Sequence, residues 1–396
     1  MSSLPVIARD SEADVALDVR LDGALERALA DERIVGAVVM VARDGALRYT
    51  RAAGLADREA RTPMREDTLF RLASVTKPIV TAAAMRLVAA GRIALDEPVA
   101  RWLPEFRPTL RDGTPARITL RHLLSHTAGL GYRFLEPDDD GPYARAGVSD
   151  GMDRAPVSLA ENVRRIASVP LQFAPGTSWC YSLATDVVGA LIEAVHERPL
   201  AEAVAELVTT PLGMTATAFI APDAARVATP YVSTAGAPRR MAAVEVVPPR
   251  DGTVGIRFEP ARAFDRDAWP SGGAGMIGCA ADCVALLDAL RTGRDGWLPP
   301  EWVDEMGRIQ PGADDVPDAP GFGFGLGFSV LRDPVAAQSP ESVGTWRWGG
   351  AYGHAWFVDR AAGLTVVALT NTLYEGAHGR FVTDVRDAVY GAGRAA

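Results

Sequence analysis

Two serines in this chain stand in patterns that support nucleophilic chemistry. Ser149 lies in Gly147-Val148-Ser149-Asp150-Gly151, a G-x-S-x-G arrangement that can set a serine on a sharp strand-to-helix turn. Ser74 lies in Ser74-Val75-Thr76-Lys77, an S-x-x-K arrangement that places an amine one helical turn from a hydroxyl. The two patterns imply different bases and different folds. Lys77 carries the sharper signal, because it is the single lysine among 41 lysines and arginines. Arginine keeps its proton at working pH, whereas a buried amine can give its proton up and then accept one from a serine.

A second proton acceptor would lighten the demand on that amine. Tyr181 follows a Pro175-Gly176 turn and precedes an apolar helical run, with Ser182 or a near neighbour as the expected cap. Phenols and amines titrate in the same range, so the two groups would act as one coupled pair. The third element is Trp348-Gly349-Gly350-Ala351, a strand whose glycines let a backbone or a ligand come close. A backbone N–H there, with that of Ser74, could form an oxyanion hole.

Each serine needs particular elements around it. Residues 68–73 read as a short strand leading into Ser74, and 74–90 as a helix stopped by Gly91. A helix start gives Ser74 partial positive charge from free N–H groups. Ser149 has neither partner: acidic and Gly/Pro-containing loop precedes it and more loop follows. Asp359 and His378 lie downstream in the order a triad would need, yet the expectation for Ser149 is a surface loop.

The remaining chain reads as an α+β fold. A helix over 17–32 is followed by two strands over 36–54, joined at Asp44-Gly45. The stretch from about 95 to 290 is mostly helical, with helices expected over 118–126, 186–197 and 280–293 and less regular structure over 214–275. After about 320 the pattern returns to strands, and 381–393 closes with a helix. This predicts one antiparallel sheet built from both termini (1–73 and 290–396), flanked by N- and C-terminal helices. A mainly helical lobe (74–289) is inserted, with the site between the lobes.

Other features bound the function. A net charge of −9 argues against nucleic acid, which needs a basic footprint. No window approaches a membrane span, and the N-terminal segment lacks a basic-then-apolar leader pattern. Three cysteines (Cys180, Cys279, Cys283) are too few for a disulfide framework, so a cytoplasmic home is expected. His122 and His126 stand four apart, but Leu123 occupies the place of the glutamate in H-E-x-x-H. They are read as helix packing or capping. The 272–275 run GGAG reads as a turn, and His354 as a residue that could approach the site. The expectation is no cofactor and no metal.

The motifs Ser74-x-x-Lys77, Tyr181-Ser182-Leu183 and Trp348-Gly349-Gly350, in that order, resemble the serine β-lactamase and penicillin-binding-protein superfamily. Within it, the chain is most similar to the family VIII carboxylesterases of the EstB type, which look like class C β-lactamases. The similarity runs through RLASVTKP, ITLRHLLSHTAGLGY, SGGAGM, WGGAYGH and VALTNT. It implies a β-lactamase/DD-peptidase-like fold, Ser74 as acylated nucleophile, and Lys77 and Tyr181 as base and proton shuttle. It also implies an oxyanion hole from the N–H groups of Ser74 and Ala351, and a substrate pocket that includes Trp348, Tyr132, Gly349, Gly350 and Leu183. Members of this type carry a non-catalytic G-x-S-x-G, in agreement with the loop reading of Ser149.

Two departures from the β-lactamase pattern point to the substrate. Leu183 replaces the asparagine of Y-x-N, and Trp348-Gly349-Gly350 replaces K-T-G, removing the ammonium that would hold a β-lactam carboxylate. The expectation is a small-molecule ester of a short- to medium-chain acid, with acyl transfer to alcohols as a side activity. The alternatives are a β-lactamase or D-amino-acid peptidase of the same superfamily and, from another class, a non-catalytic ligand-binding sensor.

Overall fold

The computed structural model describes residues 12–392. The leader reading and the last residue of the closing helix lie outside them. Helix α1 (Glu12–Ala30) leads into β1 (Gly36–Arg43) and β2 (Ala46–Asp57). These strands turn at Asp44 and Gly45, whose φ values of 51° and 78° are the two left-handed residues a tight hairpin needs. Two-residue strands β3 (Thr62–Pro63) and β4 (Phe70–Arg71) follow.

The inserted region opens with α2 (Thr76–Ala89) and continues through α3 (Leu120–Leu124), α4 (Pro142–Arg145), α5 (Leu159–Ala167), α6 (Ala184–His196) and α7 (Leu200–Val204). Short strand pairs come next: β5 (Tyr231–Val232) with β6 (Arg239–Arg240), and β7 (Glu245–Val247) with β8 (Ile256–Phe258). Strand β9 (Ile277–Gly278) pairs back to β4. Helices α8 (Ala280–Thr292) and α9 (Pro300–Gly307) precede β10 (Phe322–Phe324), β11 (Ser329–Leu331), β12 (Trp346–Gly350), β13 (His354–Asp359) and β14 (Leu364–Thr370), and α10 (Arg380–Tyr390) ends the fold.

The main sheet has eight antiparallel strands in the order β10-β11-β12-β13-β14-β1-β2-β3. The C-terminal β14 pairs with the N-terminal β1 in continuous register from Ala37 opposite Thr370 to Arg43 opposite Leu364. Both strands are almost wholly buried, because each face of the sheet is covered. One face carries α1 and α10, which pack on each other and bury Leu21, Leu25, Phe381 and Val385. The other carries the larger core.

Helix α8 packs against β14 and β1, and its Asp288 takes a hydrogen bond from Thr365 of β14. It therefore covers the sheet and is not part of the inserted lobe, which was expected to run to 289. Helix α3 is shorter than the expected 118–126. His126 sits past its end with a left-handed φ of 56°, so the two histidines do not share a helical face.

Helix α2 is buried on nearly every side, from Thr76 to Val88 with only Arg86 as an exception. A helix apolar all round belongs in a core. It packs on α6 and on the turn that carries Ser74. This central position fixes Lys77 against the residues that follow.

Candidate active site

The turn before α2 does not start as expected. Ser74 sits in a 3₁₀ turn, Ala73–Val75, and the α-helix begins at Thr76. The first residue of that turn, Ala73, has a φ of +46°. A non-glycine residue pays about 1–2 kcal/mol for that conformation, and such strain concentrates at functional positions. Here it stands one residue before the candidate nucleophile. The turn is held from both sides: the Leu72 N–H donates to the Met276 carbonyl at 2.9 Å, and the Met276 N–H donates to Thr76 Oγ1 at 3.1 Å.

Three candidate side chains meet at this turn. Ser74 Oγ and Tyr181 Oη are 2.6 Å apart. Lys77 Nζ donates to Ser74 Oγ at 3.1 Å and to the Gly273 carbonyl at 2.8 Å. Its side chain is fully buried. Its Nζ lies over two aromatic faces, 4.7 Å from the Tyr181 ring centre and 5.6 Å from that of Tyr132.

Gly273 is a site residue that the sequence reading missed, since 272–275 was taken as a simple turn. Its N–H donates to Asp186 Oδ1 at 3.0 Å, and Ser271 Oγ donates to the same oxygen at 2.6 Å. Asp186 is fully buried at the start of α6. Burial pushes its carboxyl up, and the bonds from Ser271 and Gly273 and the charge of Lys77 oppose that. The glycines are explained by this approach. A Cβ on Gly272 would lie 2.6 Å from the Thr185 carbonyl oxygen, and one on Gly273 would lie 2.7 Å from Asp186 Oδ2. An aspartate among the apolar residues of 186–195 was the available signal.

The expected oxyanion-hole donors adjoin the same turn. Strand β12 packs on the 3₁₀ turn, and Gly350 is so close that a Cβ there would run into the Leu72 carbonyl oxygen. Ala351 follows directly. Among the described residues, neither the Ser74 N–H nor the Ala351 N–H donates to another group. Free donors of this kind suit a developing oxyanion.

Aromatic rings wall the site. Trp348 is half-buried, with its ring 5.4 Å from Tyr181 and 5.2 Å from Phe324. Tyr132 stands 5.0 Å from Tyr181 and stacks on Phe134 at 4.3 Å. Burial and then the neighbouring Tyr181 hold the Tyr132 phenol well above its ordinary range. Trp179 stacks on the far side of Tyr181. His126 packs edge-on against Tyr181 at 5.0 Å and bonds to Ser182. Burial, with the Lys77 charge adding to it, keeps that imidazole neutral.

Several expectations need correction. Leu183 was expected to contact substrate, but its side chain is fully buried. It acts through its backbone, donating to the Gly131 carbonyl at 3.1 Å. The cap of α6 is Leu183, the near neighbour allowed for beside Ser182, and Ser182 bonds to His126. Ser149 is not on the surface. It is 1 % exposed, inside a network described below. Asp359 is taken up by Tyr390, Ser342 and Ala362. His354 lies behind the site, bonding to the Arg71 carbonyl at 2.9 Å. His122 needs no correction: it caps α3 reciprocally with Thr119, in keeping with its reading as a packing or capping residue.

Comparison with known proteins places nearly the whole chain in a family. The family model described as Beta-lactamase matches residues 21–390. Esterase EstB of Burkholderia gladioli is 52% identical over 376 residues, spanning 95% of each chain. The solved structure of EstCE1, a hydrolase with promiscuous acyltransferase activity, superposes with a TM-score of 0.93 at 45% identity, covering 96% of this chain and 100% of the other. Monacolin J acid methylbutanoyltransferase of Aspergillus terreus is 29% identical over 403 residues, spanning 88% of this chain and 89% of its own.

Proposed function

The chain belongs to the β-lactamase family, and on that premise we propose a serine carboxylesterase that works through an acyl-enzyme on Ser74. The observation that carries this reading is the double contact on the Ser74 hydroxyl, from Tyr181 at 2.6 Å and from Lys77 at 3.1 Å. Ser74 Oγ attacks the ester carbonyl carbon, and its proton passes to the Lys77–Tyr181 pair. The carbonyl oxygen, now an oxyanion, is received by the N–H groups of Ser74 and Ala351. The carbon–oxygen bond to the alcohol breaks, and the alcohol leaves with the proton from the pair. Water then repeats the sequence on the acyl-serine and regenerates Ser74. The shorter contact favours Tyr181 as the group that handles the serine proton, with Lys77 holding the phenol and the serine in line.

The rings of Tyr132 and Trp348 favour an uncharged acyl or alcohol group of short to medium length. They also favour an alcohol over water as the second acceptor. Acyl transfer as a side activity agrees with what EstCE1 is described as doing. Trp348-Gly349-Gly350 offers no cation to a β-lactam carboxylate, which argues against a β-lactamase or a peptidase as the main activity. Against a ligand sensor stands the intact contact among Ser74, Lys77 and Tyr181.

Among the described residues no helix is long and apolar enough to cross a membrane. Cys180, Cys279 and Cys283 are free thiols, which suits a reducing cytoplasm. Burst kinetics with p-nitrophenyl butyrate, beside steady-state turnover of nitrocefin, test the proposal. A stoichiometric burst and a kcat/KM at least a hundredfold higher for the butyrate are expected. Preference for nitrocefin would assign the chain to β-lactam hydrolysis.

A further inference from the structure

The G-x-S-x-G segment is not idle. The Ser149 N–H donates to Asn162 Oδ1 and the Asn162 amide donates back to the Ser149 carbonyl, both at 2.9 Å. Asn162 is fully buried on α5, so this two-way bond fastens the segment to the helical lobe. Ser149 Oγ adds bonds to Asp153 and to the Gly151 N–H.

The next residue reaches the site wall. Asp150 is 8 % exposed. Its two carboxylate oxygens accept separate backbone bonds, Oδ1 from the Arg133 N–H at 3.0 Å and Oδ2 from the Phe134 N–H at 3.1 Å. Those are the first two N–H groups of the 3₁₀ turn Arg133–Leu135, whose own cap position, Tyr132, supplies no side-chain cap. First-turn N–H groups need such a partner. Tyr132 then stacks on Phe134 and contacts both the Tyr181 ring and the Lys77 ammonium.

The last residue touches the opposite side. Gly151 has φ +81°, and a Cβ on it would run into Ser271 Oγ. Ser271 is the donor to Asp186, which also holds Gly273, the acceptor of Lys77.

Building on the esterase reading, we propose that Asp150 is a positioning residue: it fixes the Tyr132 loop, and through Tyr132 it holds Tyr181 and Lys77 in line with Ser74. The G-x-S-x-G segment thus braces the reaction centre from behind and supplies no nucleophile. A residue that acts only through another must lose its effect when that other residue is removed.

The test is a double-mutant cycle on the full chain, with p-nitrophenyl butyrate as substrate. Asp150→Asn keeps one acceptor oxygen and turns an amide toward the other N–H. In the wild-type background it is expected to lower kcat by roughly tenfold with KM changed less than about twofold. In a Tyr132→Leu background the same substitution is expected to change kcat by less than about twofold. Equal losses in the two backgrounds, or no loss of kcat in either, would overturn the proposal. If Asp150→Asn does not fold, judged by circular dichroism, Asp150→Ser is read in the same cycle with the same criteria. A phosphonate labels the wild-type enzyme in parallel. Labelling at Ser74 with additive losses sinks the brace alone, whereas labelling elsewhere sinks the esterase reading beneath it.

Discussion

Ser74 Oγ and Tyr181 Oη stand 2.6 Å apart although 107 residues separate them in the chain. Two independent pieces of folding bring them together: the strained turn ahead of α2 and the loop entering α6. The packing of α2 on α6 makes the contact a property of the lobe's core. Lys77, projecting from the first turn of α2, closes the third side.

The pair is expected to share the proton work. Tyr181→Phe removes the closer acceptor and should lower kcat by about 10²–10⁴-fold with a small change in KM. Lys77→Met keeps the volume of a fully buried side chain and should cost a similar factor. Their combination should cost far less than the product of the two, because the groups act as a unit. Steady-state kinetics with p-nitrophenyl butyrate on the two single variants and the double variant check this, and multiplicative losses would separate the two residues.

The close approach of β12 to the Ser74 turn makes Gly350 a sensitive position. Gly350→Ala puts a methyl group against the Leu72 carbonyl oxygen and 3.1 Å from His354 Cδ2, so the strand must retreat. Ala351 retreats with it, and loss of one oxyanion donor costs on the order of 10²-fold in kcat. Titration with a phosphonate should still label the variant, more slowly. Unchanged kcat in a folded variant would remove Ala351 from the oxyanion hole.

Acid stability should carry the mark of His354. Burial holds its imidazole down at about 4 instead of 6.5, opposed by its bond to the Arg71 carbonyl. Between those values the unfolded chain binds a proton that the folded chain does not. Stability is therefore fully present above pH 6.5 and falls as the pH drops toward 4, by about 3 kcal/mol from this residue. His354→Gln lacks that contribution. Urea unfolding at pH 7 and pH 4.5 should show a smaller loss on acidification for the variant than for the wild type. Equal losses would mean that His354 is protonated in the folded chain.

Much of the site was legible because its chemistry needs particular side chains at fixed spacings. A lone lysine three residues after a serine, a tyrosine before an apolar helix, and a tryptophan with two glycines each left a mark. What stayed hidden depends on backbone atoms and on tertiary fit. The positive φ of Ala73 belongs to the backbone, and alanine signals nothing of the kind. Any residue could present the carbonyl that Gly273 offers Lys77, so only the crowding by Asp186 explains the glycine. Ser149 was misplaced because a polar, glycine-bounded segment reads as surface, whereas Asn162 and Asp153 satisfy its hydrogen bonds inside. The strands and one antiparallel sheet from both termini followed from apolar strand-like runs bounded by turn residues such as Asp44-Gly45. The division between lobes did not, because a helix buried on nearly every side, such as α8, gives no sign of which layer it covers.

Ser149→Ala should leave turnover of p-nitrophenyl butyrate within about threefold of wild type, since the Asn162 clamp uses only the Ser149 backbone. Ser74→Ala should lower kcat by roughly 10⁴-fold or more. Comparable activity for the two variants would leave the nucleophile unassigned.

The central claim is that Ser74 carries the acyl group, and the most direct measurement locates the covalent adduct. The enzyme is treated with a p-nitrophenyl phosphonate, digested, and the modified peptide read by tandem mass spectrometry. One phosphonate per chain is expected, on Ser74 in the peptide containing Lys77, with none after Ser74→Ala. A phosphonate on Ser149, or on any residue other than Ser74, would contradict it.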